Sequence, residues 1–241
     1  MTIYTVGDIH GQLDMLKTAH DHIESDRARE GTAKAEVVFI GDYCDRGPDT
    51  KGVLNWLVSA VGSGANFICL AGNHDHMMLG FVDPTFELDS KTKDFDWLAD
   101  NLGGKSTLKS YGVDIRFWHN RAKTRATAAQ AVPQAHVDFL RSLPLTHRAP
   151  GLFFCHAGID PDRPLHDQAT EDLLWMREPF LKDTRRHDAV IVHGHTPKRD
   201  VENTGNRINV DTGAGFGRPI SAVAIEGGKV YRLTPEGRVR V

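Results

Sequence analysis

Val37-Val38-Phe39-Ile40-Gly41-Asp42-Tyr43-Cys44-Asp45-Arg46-Gly47 passes without a break from four apolar residues into a turn that holds two carboxylates and a guanidinium. A short apolar run that stops at Gly and Asp reads as a buried strand, with its polar residues on the loop at the strand end. The pattern recurs along the chain. Ile3 to Val6 precedes Gly7-Asp8-Ile9-His10-Gly11, Phe67 to Leu70 precedes Ala71-Gly72-Asn73-His74-Asp75, and Leu152 to Cys155 precedes His156. Ala189 to Val192 precedes His193-Gly194-His195, and Ile208 to Val210 precedes Asp211. In open α/β sheets, ligands bind at the carboxyl ends of the strands, which is where these clusters fall.

Between the apolar runs, Leu13 to Ile23 and Thr50 to Val61 place apolar residues on one helical face, so β and α alternate and the class is α/β. Ser221 to Ile225 and Lys229 to Leu233 flank Glu226-Gly227-Gly228, a hairpin signal. A single domain over 1–241 is expected, since a chain of 241 residues that is 40% hydrophobic can bury a substantial core. Residues 76–145 hold helix-like pieces at Phe95 to Asn101 and Pro133 to Leu143 but no ligand cluster. This stretch reads as an insertion over the edge of the site, contributing specificity rather than chemistry.

A formal charge of −3, from 29 Lys+Arg against 32 Asp+Glu, leaves no basic excess for bulk nucleic-acid binding. No apolar run approaches the roughly 20 residues that span a bilayer, and no basic, apolar leader opens the chain; the cytoplasm is the expected location. Cys44, Cys69 and Cys155 are too few for a disulfide framework and read as buried thiols in a reduced compartment.

The clusters together suit phosphate-ester hydrolysis by two divalent ions, which provide a hydroxide nucleophile and neutralise phosphoryl oxygens. Asp8 and His10 lie two apart on one loop and can address one ion; Asp42 is the natural bridging carboxylate; Asn73, His156 and His195 complete the second. Two ligand carboxylates leave such a site net positive, which attracts a dianionic phosphate. Arg46 offers a bidentate phosphate contact, and Arg177 is a second candidate. His74 suits a general acid for the leaving alkoxide, with Asp45 holding its tautomer. Any one of these residues alone reads as a turn or capping residue. All of them at strand ends read as a site. Mixed His and carboxylate ligands admit Mn, Fe, Zn, Co or Ni, with manganese taken first.

These residues resemble the phosphoprotein phosphatase family within the calcineurin-like metallophosphoesterase superfamily, above all its short bacterial and phage members, from Gly7 to Asp211-Thr212-Gly213-Ala214. The resemblance implies a metallophosphoesterase fold, a central β-sandwich of mixed sheets flanked by helices. It implies the same ligand roles, His74 and Asp45 as acid and partner, and Arg46 and Arg177 as phosphate contacts. Pro197 stands where diesterases of the superfamily carry a second His after Gly194-His195, which favours the phosphatase branch. Asp75 stands where eukaryotic protein phosphatases have Glu, while bacterial relatives that include dinucleoside tetraphosphate hydrolases carry Asp. The Asp45-Arg46-Gly47 triplet tilts the expectation to a serine/threonine protein phosphatase.

The expected partner is a phosphorylated protein or a small phosphoester. A dinucleoside tetraphosphate hydrolase is the alternative, and a non-catalytic phosphate-binding protein the third reading. His193 is expected to hydrogen-bond behind the ligands, Asp75 and His76 to cap a helix, and Asp211 to be an outer-shell or a turn residue. Trp97, Trp118 and Trp175 are expected to be packing residues, and His119, His136 and the other scattered histidines surface or satisfied core groups.

Overall fold

The computed structural model describes residues 1–113, 115 and 120–241; Trp118 and His119 lie outside them. Eleven strands are present among the described residues: β1 (Thr2–Val6), β2 (Val37–Phe39), β3 (Phe67–Cys69), β4 (Thr146–Ala149), β5 (Leu152–Cys155), β6 (Val190–His193), β7 (Glu202–Asn203), β8 (Arg207–Asn209), β9 (Ala222–Glu226), β10 (Lys229–Thr234) and β11 (Gly237–Arg240). They form two sheets, in the orders β11-β10-β9-β1-β2-β3 and β4-β5-β6-β8-β7. Both are mixed. β1, β2 and β3 are parallel, with Tyr4 opposite Val37 and Val37 opposite Phe67, while β9 joins β1 antiparallel. In the second sheet β5, β6 and β8 are parallel and β4 and β7 are antiparallel edges.

Successive strand residues point to opposite faces, and this alternation builds the layers. Ile3, Val38, Ile40 and Leu70 meet Leu152, Phe154, Val192 and Ile208 between the sheets. Tyr4, Val6 and Phe39 turn the other way, onto Leu16 and Ile23 of α1 (Leu13–Glu30) and Leu54 and Leu57 of α2 (Thr50–Gly62). Phe153, Cys155 and Ile191 turn outward onto Leu173 and Phe180. The result is helices, sheet, sheet, helices, as the resemblance implied, with the parallel strands of both sheets ending on one rim.

Helix α1 runs past Ile23 to Glu30 and ends at Gly31 in the left-handed conformation, φ 70°. Residues 76–145 hold most of α3 (Asn73–Val82), then α4 (Ser90–Lys93), α5 (Gly104–Ser110), α6 (Arg121–Ala131) and α7 (Gln134–Ser142). The helix expected over Phe95 to Asn101 does not form. Asp89 caps a single turn at Ser90 by accepting from the Thr92 amide, turns follow, and the next helix starts only after Gly103 at φ 93°. Helix α8 (Thr170–Trp175) closes the outer face of the second sheet.

Candidate active site

Among the described residues five non-glycine residues hold φ above zero: His10 (48°), Asp42 (56°), Asp45 (72°), Arg46 (66°) and His195 (63°). Each is a candidate read from the sequence. Such backbone costs on the order of 1–3 kcal/mol per residue and persists only where the surroundings over-determine it. Here they do. The carboxylate of Asp75, in the first turn of α3, accepts from the amides of Asp42 (2.8 Å), Gly72 (2.9 Å) and Tyr43 (2.9 Å), tying the loops after β2 and β3 together. Asp42 in turn accepts from the His74 amide at 3.0 Å. Gly72 is obligatory at this junction, because a Cβ there would lie 2.1 Å from Asp42 Oδ1.

Asp42 sits between two sets of histidines. His10 Nε2 is 3.5 Å from Asp42 Oδ2, and His156 Nε2 is 3.5 Å from Asp42 Oδ1. Asn73 Oδ1 lies 2.9 Å from His156 Nε2 and 3.0 Å from His195 Nδ1. Two backbone carbonyls set the tautomers: Cys44 O is 2.9 Å from His10 Nδ1 and Ile40 O is 2.9 Å from His156 Nδ1. Each carbonyl can only accept, so the proton stays on Nδ1 and the Nε2 lone pair faces Asp42.

Burial drives His10 down to about 3 and also lowers His156 and His195. Burial acts to raise Asp42, but the surrounding imidazoles of His156, His74, His10 and His195 outweigh it and hold the carboxyl far below its ordinary range. Imidazole nitrogens and an amide oxygen gathered around a carboxylate are the donor set that borderline divalent ions take, so the residues fit a metal. Two groups of donors close enough to share an ion are present, His10-Asp42-His74 and Asp42-His156-His195. Asp8 lies beside them: its carboxylate accepts from the His195 amide at 3.2 Å, and Gly194 leaves it room, since a Cβ there would be 2.2 Å from Asp8 Oδ1. Burial, with Asp211 and Asp42 nearby, raises the Asp8 carboxyl well above the usual range.

His74 Nδ1 is 2.6 Å from Asp45 Oδ2, and both side chains are buried. Burial lowers the His74 pKa, but the charges of Asp42 and Asp45 and the bond to Asp45 overcome it, so the net shift is upward. Arg46 places Nη1 2.9 Å from His10 Nε2 and Nη2 3.2 Å from His74 Nε2. Its guanidinium therefore reaches whatever His74 Nε2 reaches. Arg46 and His74 open into a cavity of about 440 Å³ together with Asp42, Asn73, His195, Arg177, Trp175, Lys91, Phe95, Asn101 and Leu102.

Several residues at the site escaped the reading by spacing. Asp75 is more than a cap, since it orients Asp42. Trp97 is buried as expected, yet its indole donates to Asp45 Oδ2 at 2.8 Å, and Thr107 donates to Asp45 Oδ1 at 2.7 Å. Trp175 does pack, but as a wall of the cavity, stacked on Phe95 at 4.3 Å and 3°. Their partners lie across long sequence gaps, and no local signal marks them. His193 goes the other way. Its Nδ1 meets Gly194 O at 3.1 Å and its ring packs on Phe180 in the outer core, so it makes no hydrogen bond to the candidate ligands. Strand alternation turns it from the rim, and burial lowers it to about 3. His76 packs against Phe86, and Asp211 accepts from Gly213 N at 2.8 Å while burial and Asp42 raise its carboxyl to about 6. His136 is a satisfied core group, 2.8 Å from the Tyr111 hydroxyl and 2.9 Å from Asn55 Oδ1.

A sandwich of two mixed sheets whose strand ends gather histidines, carboxylates and an amide around a His-Asp pair is the frame of a metallophosphoesterase. The chain belongs to the calcineurin-like phosphoesterase family, whose model matches residues 1–216, and it is a phosphoric ester hydrolase. It is 23% identical over 243 residues to the asymmetrical bis(5'-nucleosyl)-tetraphosphatase PrpE of Oceanobacillus iheyensis, spanning 92% of this chain and 88% of that one. Among solved structures, it matches a cold-active protein tyrosine phosphatase of a psychrophilic Shewanella with a TM-score of 0.60, at 19% identity over 99% of this chain and 80% of that one. A serine/threonine phosphatase from Saccharomyces cerevisiae matches with a TM-score of 0.52, at 16% identity over 100% of this chain and 79% of that one. At these identities the two structures share the fold. Among the described residues no helix is long and apolar enough to cross a membrane.

Proposed function

We propose that the chain is a metal-dependent phosphomonoesterase acting on phosphorylated serine or threonine side chains of proteins, with manganese as its metal. The carrying observation is that His74, backed by Asp45, opens beside Arg46 and Arg177 into the cavity that Asp42, Asn73 and His195 also line. In this reading Asp8, His10 and Asp42 hold one ion, and Asp42, Asn73, His156 and His195 hold the other. When bound, the ions supply the nucleophile and neutralise charge on the phosphoryl oxygens. The chain's own side chains do the rest. Arg46 and Arg177 grip the phosphoryl oxygens, Asp45 keeps the His74 Nδ1 proton in place, and His74 Nε2 delivers its proton to the leaving oxygen. The cytoplasm fits three thiols that are buried and pushed up in pKa by burial.

A second reading is hydrolysis of a dinucleoside polyphosphate. Phe95 and Trp175 form a stacked pair on the cavity wall, Phe95 is 36% exposed, and an open ring face beside a phosphate site suits a nucleobase. The PrpE relative bears that activity in its name. Turnover of a phosphothreonine peptide and of diadenosine tetraphosphate, measured side by side on the manganese-loaded protein, separates the readings. The first expects phosphate release from the peptide, abolished by chelator. Much faster cleavage of the tetraphosphate selects the second, and inertness towards both rejects each.

A further inference from the structure

The carboxylate of Asp45 is held by more than its bond to His74. Its Oδ2 takes the His74 Nδ1 at 2.6 Å and the Trp97 indole N–H at 2.8 Å, while its Oδ1 takes the Thr107 hydroxyl at 2.7 Å. The Thr107 oxygen also accepts from the Asp45 amide at 2.8 Å. A hydroxyl has one proton and two lone pairs. Since the Thr107 proton goes to Asp45, Thr50 Oγ1, 3.1 Å away, must donate to Thr107. Every group in this cluster is buried: Asp45, Thr50 and Thr107 at 0% exposure, Trp97 at 2%.

Trp97 and Thr107 both come from the stretch between α3 and α6, and the chain is shaped to bring them in. Gly103 holds φ 93° and accepts from the Arg46 amide at 3.4 Å; a Cβ there would lie 2.4 Å from Arg46 N. Gly104 lets the indole lie against the start of α5, where a Cβ would come within 2.7 Å of Trp97 Cε2. Asp45 and Arg46 are themselves in left-handed backbone, so something outside their own loop must hold them there.

We infer that Trp97 and Thr107 are positioning residues for proton delivery: by fixing both oxygens of Asp45 they aim the His74 imidazole so that Nε2 faces the leaving oxygen of the substrate. This rests on His74 being the general acid. The insertion thus acts on the chemistry, where the sequence suggested specificity alone. Trp97 is an obligate donor and cannot be replaced by an apolar ring of the same shape without loss. Thr107 needs its hydroxyl and not its methyl.

The test uses leaving groups. A serine alkoxide departs only when protonated, whereas p-nitrophenolate departs readily without a proton, so loss of aim costs turnover selectively on the first. On manganese-loaded protein, Trp97→Phe and Thr107→Val should each lower kcat on a phosphoserine peptide by about tenfold. KM and kcat on p-nitrophenyl phosphate should stay within about twofold, and Thr107→Ser should behave as the parent protein. His74→Asn serves as the reference, with a larger loss of the same selectivity. In the metal-free protein, the His74 Nδ1 proton should move upfield in Trp97→Phe and Thr107→Val and stay in place in Thr107→Ser. Equal losses on both substrates in the two variants, or no loss, would overturn the clamp while leaving His74 as the acid. A His74→Asn protein without leaving-group selectivity would overturn the acid assignment, and the clamp with it.

Discussion

Asp75 shows how much one side chain can decide at the scale of the residue. Its two oxygens accept three buried amides, those of Asp42, Tyr43 and Gly72, and so hold the bridging candidate Asp42 in left-handed backbone. Asn is nearly isosteric but presents an NH₂ where one oxygen now accepts, so at least one amide would face a donor. Asp75→Asn should therefore lower unfolding free energy by about 1–3 kcal/mol, since a buried amide without an acceptor is costly. It should also weaken metal retention; urea denaturation and elemental analysis after dialysis check both, and unchanged values would show that Asp42 is held by other groups. Asp8, His10, Asp42, Asn73, His156 and His195 could be named as candidates from the sequence because each is a donor type placed at the end of an apolar run. Asp75, Trp97 and Thr107 were not, because what matters about them is a partner 33, 52 and 62 residues away.

At the scale of the element, the six strands that end at the rim, β1, β2, β3, β5, β6 and β8, were legible to within a residue or two, edge strand β3 included, and the other three edges were not. β4, β7 and β11 carry no continuous apolar run, since an edge strand with one face to solvent needs none. β11 matters all the same. Arg238 reaches from it to Asp26 on α1 at 2.8–3.1 Å and to Glu226 on β9 at 2.7 Å, and Tyr4 from β1 donates to the same Asp26 at 2.8 Å. Asp26 is 1% exposed, so removing its cation leaves a buried carboxylate with one hydroxyl donor. Arg238→Ala should cost about 3 kcal/mol or more in denaturant unfolding. Adding Asp26→Asn should restore part of that loss; if the double variant is no more stable than the single one, the charge at Asp26 is not what Arg238 serves. The missed turns over Phe95 to Asn101 have a similar origin, for apolar spacing alone does not register where Asp89 and Gly103 start and restart the chain.

At the scale of the whole molecule, burial of titratable groups sets the response to acid. His193, its pKa lowered by burial to about 3 in the outer core, stays neutral in the fold but takes up a proton near pH 6.5 once unfolded. Stability from this group is complete above pH 6.5 and is lost as pH falls from there towards 3, because the unfolded chain then binds the extra proton. His10, also lowered to about 3, acts in the same direction. In chelator, His193→Leu should shrink the loss of unfolding free energy between pH 7.5 and pH 5 by about 2 kcal/mol. An unchanged pH dependence would mean that His193 is charged, or exposed, in the fold. The amino-acid sequence by itself determined the α/β class, the run of ligand-type residues at strand ends and the phosphoesterase chemistry they suit, because strand burial and donor identity are written locally. Only the tertiary structure decided which side of the rim each residue faces, that Asp42 lies between two histidine sets, and that Trp97 and Thr107, from a stretch without a ligand cluster, bond to the Asp45 carboxylate behind His74. Those are distances between residues remote in the chain, and they exist only once the two sheets and the helices around them have packed together.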